Sequence, residues 1–224
     1  MKNLLKTVSV IFVLVLAFSA CVTVGEGSGG AGGSGTGGGG AGSSSSGAAA
    51  GTVAEDGSMM LITGATAAGW HSEHGVVSMR DGNVTFTGTR QGDTYWINGR
   101  YRFARRMDVS AYTNGYLQME IMVSDIRMMD APGAALQLSS ADFNYVKWRF
   151  NDIGSYEDGY SPQVPSEAGV WTTVTVPLYK SSWEDQFIDN GLNHARVDRF
   201  DLFLIGSPVD GTIQIRNIRA VNTP

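Results

Sequence analysis

Between residues 115 and 123 the chain alternates. Leu117, Met119, Ile121 and Val123 share one parity, and Tyr116, Gln118, Glu120 and Met122 share the other. Strict alternation predicts a half-buried β-strand, because successive side chains of an extended chain point to opposite faces. The pattern returns twice. Leu136 and Leu138 alternate with Gln137 and Ser139, and Val146, Trp148 and Phe150 alternate with Tyr145, Lys147 and Arg149. Laid side by side, these strands would offer one apolar face. The other face would carry Gln118, Glu120, Gln137, Ser139, Tyr145, Lys147 and Arg149. Echoes follow at 170–178, 200–205 and 212–221.

Turn residues punctuate the rest. Asp81-Gly82 separates 76–79 from 83–87, and Asn98-Gly99 separates 93–97 from 100–104. Both dipeptides between such runs are hairpin signals. Residues 108–114 read as a short turn or a single helical turn. The stretches 151–169 and 181–196 read as long loops, the first with Tyr156 and Tyr160, the second with Trp183. Asp189-Asn190-Gly191 is most simply a turn. Nothing reads as a long amphipathic helix. About ten short strands separated by turn signals imply an all-β sandwich. By parity Trp148 belongs to its core.

The beginning of the chain is different. Lys2 and Lys6, an apolar run over 8–18 and small residues beyond it form an export signal. The run is short for a membrane span. Its end, Phe18-Ser19-Ala20-Cys21, resembles a bacterial lipobox, with Phe18 where Leu is usual. That resemblance implies cleavage before Cys21 and acylation of Cys21, anchoring the chain in a lipid bilayer. Val22 stands where an inner-membrane retention Asp is common, which favours the outer membrane of a bacterial envelope. Gly, Ser and Ala fill most of the following thirty or so residues, too little apolar surface to offset ordering. Such a tether has a root-mean-square span of roughly 30 Å. The expected division is a signal peptide at 1–20, a linker at 21–54 and a β-sandwich at 55–224. Without the signal the chain carries 14 basic against 21 acidic side chains, a net charge of −7. That balance argues against a nucleic-acid partner. Cys21 is the sole cysteine, so no intrachain disulfide can form.

Three segments carry a further resemblance. Gly169-Val-Trp-Thr-Thr-Val-Thr-Val-Pro-Leu178, Val197-Asp-Arg-Phe-Asp-Leu-Phe-Leu204 and Gly211-Thr-Ile-Gln-Ile-Arg-Asn-Ile-Arg219 resemble the C-terminal half of jelly-roll carbohydrate-binding modules of the galactose-binding-like fold. Asp108-Val-Ser-Ala-Tyr-Thr-Asn-Gly-Tyr-Leu-Gln118 is similar to the entry to their central strand. The resemblance implies a jelly-roll sandwich of two antiparallel sheets, with polysaccharide as its ligand and glycan-degrading enzymes as neighbours. It leaves a structural calcium ion open, with Glu55, Asp56 or Asp189 as donors. At the position before the last Asn-Ile, where the family often has an acid for that ion, this chain has Arg216.

A sugar ring presents a C–H face and several hydroxyls, which proteins meet with aromatic planes and directional polar groups. Gln118, Glu120, Gln137, Tyr145, Lys147 and Arg149 supply both, with Tyr156 and Trp183 as loop platforms. The plain alternative is a solvated sheet face. His71 and His74 lack a third ligand nearby in sequence, so no metal site is expected there. Glu120 and Asp125 have opposite parity, and Glu157-Asp158 and Glu184-Asp185 are adjacent loop pairs. None of these matches two acids facing across a cleft. Non-catalytic polysaccharide binding without a cofactor is therefore the expectation. A jelly-roll hydrolase or lyase and a structural or protein-interaction lipoprotein are the alternatives.

Overall fold

The computed structural model describes residues 50–63, 69–150, 164–179 and 187–224. Cys21, Tyr156, Tyr160 and Trp183 lie outside them. Two antiparallel sheets face each other in a jelly-roll sandwich. In the first sheet β10 (Thr172–Pro177), β7 (Tyr116–Val123), β13 (Thr212–Val221), β4 (Asn83–Thr87) and β3 (Val76–Arg80) lie in that order, with β1 (Met59–Ile62) also on β13. In the second the order is β11 (Phe187–Asp189), β9 (Tyr145–Arg149), β8 (Ala135–Ser140), β12 (Val197–Ser207), β6 (Thr94–Met107) and β2 (Trp70–Ser72), with β5 (Thr89–Gln91) pairing with β6. Helical structure among the described residues is limited to short 3-10 turns, one of them Ser110–Tyr112 in the predicted 108–114 segment.

The core follows the alternation. Leu117, Met119, Ile121 and Val123 are buried, as are Ile213 and Ile215 beside them. From the second sheet Leu136, Leu138, Val146, Trp148, Phe200, Leu202 and Leu204 face them. Each such side chain contributes about 1.5–3 kcal/mol by leaving water. Trp148 also ties the layers together, its indole Nε1 donating to the Pro177 carbonyl at 2.9 Å. Asp81-Gly82 forms the expected turn between β3 and β4, both residues at positive φ, as a type I′ hairpin requires.

Three expectations are corrected. Asn98-Gly99 is no turn: β6 runs straight through it, with Asn98 opposite Phe203 and Gly99 opposite Leu202. The reversal falls earlier, around Gly92 at φ 62°, between β5 and β6. Gly99 is there for packing, because a β-carbon on it would lie 2.3 Å from the Phe86 ring of the first sheet. The expected loop over 181–196 contains the short strand β11 on the edge of β9. Finally, β7 does not lie beside β8 and β9. It pairs with β10 and β13 in the other sheet, so the seven polar residues are divided between two outer faces. Parity says which side chains point inward; it is the same for either layer and cannot say which layer a strand joins.

Candidate carbohydrate-binding face

Gln118 and Glu120 occupy the outer face of the first sheet, and they are engaged. Glu120 accepts from Arg216 Nε at 2.9 Å and Nη2 at 3.0 Å, and from Asn217 Nδ2. The Arg216 contact holds the Glu120 carboxyl below the usual carboxylate range. Arg216 also lies over Trp171, 4.0 Å from the ring centre. Gln118 accepts from Arg219 Nη2 at 2.6 Å and donates to Thr175 Oγ1 at 3.2 Å. The face is a set of mutually paired groups bordering a shallow recess lined by Met60, Thr173 and Asn217.

Arg216 settles the fit of a calcium ion at the position before Asn217. A permanent cation bound to Glu120 stands there, so the residues present do not suit the ion. Among the described residues no three His, Cys, Asp or Glu side chains gather as a metal site. Asp189 accepts from the Gly191 amide at 2.8 Å, as a turn residue does. Asp56 accepts from the Ser58 amide and hydroxyl.

The outer face of the second sheet collects Gln137, Tyr145, Lys147 and Arg149. Register sets them in rows. One row runs Lys147, Gln137, Asp201, Arg100 and His71 across β9, β8, β12, β6 and β2. The next runs Arg149, Ala135, Phe203 and Asn98. A third runs Tyr145, Ser139, Arg199 and Arg102. The centre is Asp201, with no solvent exposure. It accepts from Arg100 Nε at 2.7 Å and Arg199 Nε at 2.8 Å. A carboxylate this buried demands such partners. Arg100 continues to Glu73 at 2.7 Å, and Arg199 donates to Ser139 Oγ at 3.1 Å.

Aromatic planes lie among these groups. Lys147 Nζ sits over the Phe203 ring, 5.0 Å from its centre. Burial pushes the Lys147 ammonium below its ordinary value; Arg149 adds to the fall and Asp201 opposes it. Trp96 is half-buried on the same face, its ring edge-on to His74 at 5.2 Å and its Nε1 donating to Thr94 Oγ1. Asn98 Nδ2 donates to Glu73 at 2.6 Å, while its buried Oδ1 has no partner among the described residues. Such an acceptor is costly unless something donates to it.

Sequence reasoning missed Trp96, Asn98, Arg100, Asp201 and Phe203. Asn98 was hidden by reading a turn at Asn98-Gly99, and that turn split Trp96 from Arg100, which β6 carries on one face. The other two were legible, since Phe200, Leu202 and Leu204 alternate with Arg199, Asp201 and Phe203 just as in β7.

A two-layered jelly roll with a polar, aromatic-bearing sheet face is the architecture of a carbohydrate-binding domain. Residues 34–222 match the family described as the surface glycan-binding protein B xyloglucan binding domain, and the chain belongs to that family. It is a carbohydrate-binding chain. The fold is similar to a portion of an exo-β-agarase, at 12% identity and TM-score 0.53, covering 74% of this chain and 25% of that one. It is similar to a second agarase at 8% identity and TM-score 0.52, covering 75% and 25%. The chain thus spans about a quarter of those enzymes. A family 11 carbohydrate-binding module from a cellulosomal cellulase of Clostridium thermocellum aligns at 14% identity and TM-score 0.44, over 76% of this chain and 98% of that one. No curated protein matches the sequence.

Proposed function

We propose that this chain is a surface lipoprotein that captures polysaccharide, without turning it over, on the outer face of the second sheet. The observation that carries this choice of face is the contrast between the two. On the first sheet, Glu120 and Gln118 are taken up by Arg216, Asn217, Arg219 and Thr175. On the second, half-buried Lys147 lies over Phe203 and, among the described residues, has no carboxylate salt bridge, and the same face carries the Asn98 acceptor, unpaired among those residues, and the Trp96 plane. Sugar C–H faces would stack on Phe203, Trp96 and Tyr145. Ring hydroxyls would donate to Asn98 Oδ1 and accept from Lys147, Arg149 and Gln137. Tyr156 and Trp183, the two further aromatic candidates, lie outside the described residues.

Xyloglucan is the first glycan to test, because the family description names it. Replacing Lys147 and Arg149 together with Ala should abolish retardation in xyloglucan affinity gels, with the thermal unfolding midpoint little changed. Retardation equal to wild type would remove this face from the proposal. The anchoring half of the reading rests on Phe18-Ser19-Ala20-Cys21 and the Gly/Ser-rich run after it. It places the sandwich outside the cell, moored through Cys21 and free to reach glycan.

A further inference from the structure

The basic groups of the second sheet outnumber what their acids can neutralise. Arg199 and Arg102 are direct cross-strand partners on β12 and β6, an arrangement that repels. Asp201 answers Arg199 but is shared with Arg100, and Glu73 is spent on Arg100 and Asn98. Arg102 is exposed and has no hydrogen-bond or ion-pair partner among the described residues. Residues 21–224 carry an acidic excess, yet at one end of this face Arg102 and Arg199 stand side by side, with Asp198 the one further acid lining the same recess.

That end is also shaped. Arg102 and Arg199 line a recess of about 470 Å³ with Phe103, Ser140, Phe143 and Asp198. Phe143 stands at the tip of the β8–β9 hairpin, 83% exposed and at φ 65°, a conformation that a bulky residue rarely adopts. The hairpin is held rigidly in place. The Ala141 amide donates to the Arg196 carbonyl, Asp142 pairs with Arg196 at 3.0 Å, and Asn193 donates to Asp142 at 3.1 Å. These fixings, all from the two residues before Phe143, set an aromatic plane facing solvent beside two guanidinium groups.

We infer that this recess is a subsite for a sugar bearing an oxyanion, a carboxylate or a sulfate ester, at one end of the bound glycan. This rests on the second-sheet face being the glycan site. The oxyanion bridges Arg102 and Arg199 and relieves their repulsion. The ring lies against Phe143, and Asp198 accepts from a hydroxyl. Two guanidinium groups suit an oxyanion because each offers a planar fork of donors.

The test uses the full chain and three polymers: xyloglucan, polygalacturonate and a sulfated galactan. Affinity is measured by isothermal titration at low and at raised salt. Wild type should bind at least one acidic polymer more tightly than xyloglucan, and raised salt should weaken only the acidic binding. Arg102→Gln should lower acidic-polymer affinity about tenfold, the loss of one charge-assisted contact, and leave xyloglucan unchanged. Arg102→Lys should restore part of it. Preference for polygalacturonate or for the sulfated galactan tells which oxyanion is meant, and either supports the subsite. Xyloglucan binding as tight as acidic binding, or an Arg102→Gln loss equal on all polymers, overturns the subsite and leaves the face standing. Binding to none of the three overturns both.

Discussion

Glu120 shows how a polar residue on a sheet face can serve the fold. Its carboxylate takes three donors from Arg216 and Asn217, and Arg216 covers Trp171. The Arg216 contact lowers the Glu120 pKa in the folded protein, so near the ordinary carboxylate value the unfolded chain binds more protons. The contact's stabilisation is therefore complete above that value and is lost as pH falls through the depressed one. Urea unfolding from neutral down to about pH 3 should show this acid loss in wild type, and Glu120→Gln should flatten it. Equal acid slopes would mean that the clamp contributes nothing. Lys147 has the same sign of pH dependence for a different reason. Its folded pKa is depressed by burial, so the charged form costs stability, which returns as pH rises through the depressed value.

At the scale of elements, β7, β8, β9 and the β3–β4 hairpin were legible because alternation and turn chemistry coincide in them. β6 was not. Asn-Gly is the strongest short hairpin signal, yet tertiary packing overrides it at Asn98-Gly99, where Phe86 needs the space that Gly99 leaves. β11 has only three residues, too few for a period to register. Of the candidate site, the β8 and β9 members could be read from parity. The β6 members could not, since a false turn stood in their middle. Gly99→Ala puts the packing argument to work: the added methyl meets a fully buried ring and should cost about 1–3 kcal/mol, measurable by denaturant unfolding. If stability were unchanged, Gly99 would have some other purpose, and the hairpin reading would need a new explanation for its failure.

The whole molecule joins a folded sandwich to a beginning of quite different composition. Cys21, Phe18 and most of the Gly/Ser-rich run lie outside the described residues, and the proposal made for them is chemical. Growth with a labelled fatty acid should mark the wild-type chain in the membrane fraction. Cys21→Ala should abolish the label and release the chain. Labelling that survives the substitution would place the lipid elsewhere. The sandwich itself was legible as a class from strand count and turn spacing, while the partition of strands between layers needed three dimensions.

That partition has a use. The Trp148 indole bolts one layer to the other through the Pro177 carbonyl, so the first sheet acts as a backplate for the second. Its paired charges look away from the face proposed to hold sugar. Hardware fixed to that backplate, whether a dye, a bead or a fused protein, would sit behind the palm and leave the grip open.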